Sequence, residues 1–195
     1  MRQIQRVLFL LAVIFILSPA AYAATYKIDP GHSAVGFKIR HLFSNVPGRF
    51  DRYEGAVEYD PKNPSSWAAS ATIQIASINT NAEARDQHLK SADFFDAEKF
   101  PVMTFKSTGV AGAAENGAKL NGDLTLHGVT KPVTLDLQIH GSGKDMQGKV
   151  RAGFTATAKI NRKDFGVAWN KVMEGGGLVL GDEVDITIDV EAVEI

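Results

Sequence analysis

Apolar and polar side chains alternate with a period of two along most of this chain, the signature of strands buried on one face. Val35, Phe37 and Ile39 are separated by Gly36 and Lys38, and the segment Phe50 to Tyr59 sets Tyr53, Gly55, Val57 and Tyr59 on one face. The same spacing recurs in Ala71, Ile73 and Ile75; Met103 and Phe105; Leu120 to Leu126; Val133 to Ile139; Val150 to Ile160; and Val184 to Val190. These sets predict about eight strands. Turn-forming residues divide them: Asp60 to Pro64, Glu115-Asn116-Gly117, His127-Gly128 and Gly141-Ser142-Gly143. Short connections favour antiparallel neighbours, so the pattern predicts an all-β meander closing into a barrel.

The period changes once. From Asn79 the chain reads Asn-Thr-Asn-Ala-Glu-Ala-Arg-Asp-Gln-His-Leu-Lys-Ser and then Ala-Asp-Phe-Phe-Asp. Thr80 and Glu83 have capping-box spacing, which predicts a helix start and a short helical segment near residues 80–98. Three- and four-residue spacing then places Arg85, His88 and Leu89 on one face, with Phe94 and Phe95 just beyond.

The first residues have the pattern of a leader. Arg2 and Arg6 precede the apolar run Val7 to Leu17, and Ala21-Tyr22-Ala23 has the small-x-small form of a cleavage site. Residues 1–23 are therefore expected to be a signal peptide, with residues 24–195 forming one domain with its own core. The full chain carries 21 basic and 22 acidic side chains, and losing Arg2 and Arg6 takes the net charge from −1 to about −3. That mild acidity argues against nucleic acid and against a polybasic grip on anionic lipid. There is no cysteine, hence no disulfide framework or thiolate metal site. A chain exported to the periplasm would have to be held together by its core alone.

Candidate chemistry is sparse. The five histidines, His32, His41, His88, His127 and His140, form neither His-Glu-x-x-His nor His-x-His, so no metal or cofactor is expected. No Gly-x-Ser-x-Gly elbow accompanies Ser33 or any other serine. Three polar groups at element boundaries stand out: Arg40 with His41, Arg85 with His88, and Asn161-Arg162 with Asp164. Gathered at a barrel mouth they would hold a polar head group or anion. Alternatively, Arg40, Arg85, Asp86 and Asp164 would form ion pairs that close the barrel end. The small residues on the apolar phase, among them Gly55, Gly122, Ala152, Ala156 and Ala158, fit either a cavity or the taper of a filled barrel.

Five ordered motifs closely resemble the YceI-like polyisoprenoid-binding family. They are His32-Ser33-x-Val35-x-Phe37-x-Ile39-Arg40-His41, Asn81-x-x-x-Arg85-Asp86-x-His88-Leu89-x-Ser91-x-Asp93-Phe94-Phe95-Asp96, Phe100-Pro101-x-x-Thr104-Phe105, Gly122-x-Leu124-Thr125-Leu126-His127-Gly128-Val129-Thr130-Lys131-Pro132, and Ile160-Asn161-Arg162-x-Asp164-Phe165-Gly166. The resemblance runs from about Tyr26 to Val190. It implies a lipocalin-like antiparallel up-and-down barrel that encloses an isoprenoid or another long-chain, fatty-acyl-type amphiphile, and a role in periplasmic carriage. On that footing Arg40, Arg85, His88 and Arg162 are expected at the head group. Phe94, Phe95, Phe165 and Trp169 are expected to line or cover the tail, together with Phe37, Ile39, Ile75, Phe105, Leu126, Phe154 and Ala156. Transient membrane contact and a homodimer through an exposed strand edge belong to the same picture.

Two other readings remain open at this point. His88, beside Arg85 and Asp86, would serve as acid or base in an enzyme acting on a lipid or quinone head group. A stress-related interaction protein would use its surface and carry no ligand.

Overall fold

A computed structural model of the chain describes residues 23–114 and 117–195. The leader and its cleavage motif, apart from Ala23, lie outside the described residues, as do Glu115 and Asn116 of the expected turn. Eleven strands form one antiparallel sheet: β1 (Ala24–Ile28), β2 (Ala34–His41), β3 (Ser44–Phe50), β4 (Tyr53–Tyr59), β5 (Ala68–Gln74), β6 (Ile78–Asn79), β7 (Val102–Ala114), β8 (Gly117–Leu126), β9 (Val129–Lys144), β10 (Val150–Asn161) and β11 (Leu180–Glu194). Helix α1 (Glu83–Lys90) lies between β6 and β7.

Eight strands make a closed circuit, β1-β4-β5-β7-β8-β9-β10-β11, in which β11 returns to β1 through Tyr26 opposite Glu194. Closure leaves this end of the barrel without a free edge. The expected number of strands is right, but their membership differs. β1, too short to show a period, is in the circuit, whereas β2 is an excursion from it. The first half of β11 pairs with β2, from Leu180 opposite His41 to Asp189 opposite Ala34, and β3 and β6 continue outward from there. The single strand expected over Phe50 to Tyr59 is also divided at Asp51 and Arg52, where the chain passes from β3 to β4.

The two ends of the barrel differ in filling. At one end Tyr26, Tyr59, Trp67, Ile139, Ala152, Phe154 and Ala192 form a close-packed cluster, with the Tyr59 ring 5.1 Å from both Trp67 and Phe154. Along β10 the inward positions Ala152, Phe154 and Ala156 are buried, whereas Ala158 and Ile160 are only half-buried. Along β11 Ala192 is fully buried, and Val190, Ile188, Ile186 and Val184 are half-buried although they too point inward. Taper and cavity are thus both present, at opposite ends. Gly55 and Gly122 create no empty space: a Cβ at Gly122 would collide with the Phe105 ring, and one at Gly55 with the Ser70 carbonyl.

Arg151 ties the packed end together. Its Nε donates to Asp145 (2.7 Å), and its Nη1 donates to Asp29 (2.8 Å) and Glu191 (2.6 Å), linking the β9–β10 turn, the end of β1 and β11.

Candidate functional site

The half-buried inward residues surround a cavity of about 330 Å³. Its walls include Phe37 and Ile39 from β2, Val46 from β3, Phe105 from β7, Leu126 from β8, Ala158 and Ile160 from β10, and Ile186 and Ile188 from β11. Most of the polar residues of the lining gather at one end, where Thr80, Arg85, His88 and Arg162 line the cavity with His41; Tyr53 and Asp189 lie apart from them.

Helix α1 forms one side of the mouth. The face formed by Arg85, His88 and Leu89 is turned to the cavity as the spacing predicts. The expected cap is replaced by another device. Asn81 adopts a left-handed conformation (φ 60°), so the helix starts three residues after Thr80, with Ala82 as its cap residue and no side-chain cap. Thr80 instead anchors the first turn from outside. Its amide and hydroxyl donate to Asp86 Oδ1, while Arg85 donates from Nε to Thr80 Oγ1 (2.7 Å) and from Nη2 to the Thr80 carbonyl (2.8 Å). Arg85 and Asp86 therefore converge on Thr80, and the carboxylate that reaches His88 is that of Asp93 rather than Asp86.

Above the cavity three rings meet. His88 stands edge-on to Phe94 (5.0 Å, 89°) and Trp169 (5.1 Å, 87°), and Phe94 lies 5.0 Å from Trp169. His88 Nε2 is held by Asp93 Oδ2 at 2.8 Å. None of the residues of α1 is buried, so this ring cluster and the Thr80 anchor attach a polar helix over an apolar hollow.

The opposite side of the mouth, residues 166–180, is organised by Arg162. This residue is 4% exposed. Nε donates to the Gly181 carbonyl (2.9 Å), Nη1 to those of Val167 (2.6 Å) and Trp169 (2.9 Å), and Nη2 reaches Asp182 (3.5 Å). Burial pulls its pKa below the usual arginine value, opposed by Asp182, yet an arginine remains charged under any ordinary condition. The expected ion pairs of Arg40, Arg85, Asp86 and Asp164 do not form; Asp182 pairs with Arg162 and Lys163, and Asp93 with His88. No periodicity marks Thr80, Asp93, Asp182, Val167 or Val179 as part of the mouth, whereas Val184, Ile186 and Ile188 were visible as an alternating set.

Ten expected contact residues line the cavity: Phe37, Ile39, Arg85, His88, Phe94, Phe95, Phe105, Leu126, Arg162 and Trp169. Five lie elsewhere. Phe154 and Ala156 are on the inward face but in the filled part of the barrel. Ile75 and Phe165 sit on short 3-10 turns that break strand parity and bury them behind the wall. Arg40 alternates outward next to His41, and its Nη1 donates to the Leu42 carbonyl.

Asp29, His32 and Glu191, at the packed end, bring possible metal-ligand atoms within 4.8 Å of one another. The Arg151 guanidinium already lies on Asp29 and Glu191. With a fixed cation in place, this group reads as an ion-pair network.

Comparison with known proteins agrees with this architecture. The model of the YceI-like domain matches residues 26–192. Protein YceI of Salmonella arizonae is 41% identical over 192 residues, covering 95% of each chain. The crystal structure of BcnA from Burkholderia cenocepacia superposes with a TM-score of 0.75 at 25% identity, over 85% of this chain and 99% of that one. A polyisoprenoid binding domain from Saccharophagus degradans shares the fold, with a TM-score of 0.61 at 18% identity over 89% of this chain and 99% of that one.

Proposed function

The chain belongs to the YceI-like family, and from that membership and the form of its cavity we propose that it carries a single linear amphiphile, a polyisoprenoid or a comparable long-chain lipid. The observation that bears most weight is the separation of chemistry within the cavity, with walls apolar along most of its length and most of the polar side chains at the mouth. On β11 alone the lining runs from Leu180 to Val190, roughly 30 Å of strand. A volume of about 330 Å³ spread over such a run suits one extended chain better than a fused-ring molecule, and lies at the lower end of small-ligand pockets. The name of the Saccharophagus domain supports the isoprenoid class.

Each buried CH₂ contributes ~0.8 kcal/mol relative to water, ample for an isoprenoid tail. A tail leaving a bilayer is already out of water, so selectivity has to come from length, shape and head group. Arg85 is suited to that last role, because Nη1 is not engaged by its bonds to Thr80. Arg162 is committed to backbone carbonyls and is assigned to holding the mouth in shape. We assign this carriage to the periplasm, a reading supported by the leader pattern expected at residues 1–23. The test is displacement of a cavity-bound apolar fluorophore: linear polyprenyl and acyl chains are expected to displace it, and a sterol of similar apolar area is not. Equal displacement by the sterol would contradict the single-chain reading.

A further inference from the structure

The rim of the mouth carries two large apolar side chains that cover nothing. Phe43 is 95% exposed and Val172 is 75% exposed. Phe43 lies in the two-residue turn between β2 and β3, where His41 pairs with Ser44. Val172 lies in the segment after Trp169, bridged to Leu178. The two tips are joined: the Leu42 amide donates to the Val179 carbonyl (2.8 Å), and the Val179 amide donates to the Lys171 carbonyl (3.0 Å). His41, Trp169, Val179 and Leu180, which line the cavity, connect these tips to the mouth.

The turn is built in a way that holds Phe43 outward. Leu42 takes the left-handed conformation (φ 50°) at a position where Gly, Asn or Asp is usual. Left-handed backbone is disfavoured for a residue with a Cβ, and such strain is a reason to look for function. Arg40 fixes the turn from behind by donating to the Leu42 carbonyl. Its cationic head therefore sits near the tip, and Lys171 immediately precedes Val172, with Nζ 5.8 Å from the Trp169 ring.

We infer that the β2–β3 turn and the Lys171–Leu178 segment form a docking edge that seats the cavity mouth on a lipid bilayer, with Phe43 and Val172 entering the acyl boundary and Arg40 and Lys171 facing lipid phosphates. This inference rests on the carrier reading, since it supplies the surface from which an amphiphile reaches the cavity. A bilayer fits better than a protein partner. Two protruding tips make no continuous patch of the size a stable protein interface buries, but they suit a deformable apolar layer behind anionic head groups. Both tips are fixed by hydrogen bonds before contact, so docking has little conformational entropy to overcome.

The test uses the mature chain and vesicles of equimolar phosphatidylcholine and phosphatidylglycerol, read by flotation. The wild type is expected to float with the vesicles, and the double variant Phe43→Ser, Val172→Ser to bind about tenfold more weakly or worse, from the lost apolar insertion. Met146 is 97% exposed but lies in the β9–β10 turn at the packed end, so Met146→Ser is expected to float like the wild type. Displacement of an apolar fluorophore in the absence of vesicles reads the cavity separately and is expected to be equal in all three proteins. No flotation of the wild type, or equal flotation of the double variant, overturns the docking edge. Self-association without vesicles that the double variant abolishes would overturn it in favour of a second copy of the chain. Failure of fluorophore binding in every protein would instead remove the carrier reading, whatever flotation shows.

Discussion

The Trp169 indole and the His88 imidazole meet edge to face at 5.1 Å across the cavity mouth. This contact joins the segment organised by Arg162 to a helix that buries none of its own residues. Edge-to-face pairs contribute about 0.5–1.5 kcal/mol each. Trp169→Ala breaks contacts with both His88 and Phe94, so the ligand off-rate is expected to rise about tenfold or more with only a modest loss of global stability. Stopped-flow release of an apolar fluorophore, set beside thermal melting, checks this.

The filling gradient along β10 predicts that two alanines one inward position apart respond oppositely to the same change. Ala156 is buried against Leu120 and Leu135, and Phe there is expected to cost about 1–3 kcal/mol or more from overpacking. Ala158 faces the hollow, and Ala158→Phe is expected to fold with nearly unchanged stability while losing fluorophore binding. Denaturant melts of both variants read the difference.

Arg162→Lys keeps the charge but loses the fork that reaches Gly181, Val167 and Trp169. Hydrogen bonds from a charged donor contribute roughly 1.5–3 kcal/mol each, and lysine recovers only part of them. A loss of about 3 kcal/mol is expected in urea unfolding, together with increased hydrogen exchange confined to residues 166–181.

Stability is expected to fall on the acid side through the Arg151 network. Hydrogen bonds from Arg151, first among the causes at both residues, hold Asp29 and Asp145 below the usual carboxylate range. A carboxyl group whose native pKa is depressed contributes stability that is fully present above its unfolded value, near 4, and is lost as pH falls through the native one. Melting temperature should therefore hold from neutral pH to about pH 5 and drop below pH 4. Arg151→Met should melt lower at neutral pH and show a shallower acid limb.

The alternating sets revealed the inward faces of the longer strands because parity is a local property of the chain. They did not reveal which end is hollow. That depends on Tyr59 and Trp67, which come from β4 and the turn before β5 to fill one end beside Phe154. Strand β1 was hidden by its five-residue length, and the parity breaks at Ile75 and Phe165 follow from 3-10 turns that no periodicity announces. On α1 the face bearing Arg85, His88 and Leu89 followed from helical spacing, but the Thr80 anchor depends on the left-handed Asn81, so capping-box spacing gave the wrong partner. The ring triad joins Phe94 and His88 to Trp169, far along the chain, a closeness set by tertiary structure alone.

What the cavity holds decides whether the protein is a lipid carrier. Organic extraction and mass spectrometry of protein purified from its native compartment, with Ala158→Phe purified in parallel, address this directly. An extended isoprenoid or acyl lipid carried by the wild type and depleted from a folded Ala158→Phe variant is the predicted result. Equal lipid content in the two folded proteins, or none in the wild type, would contradict it.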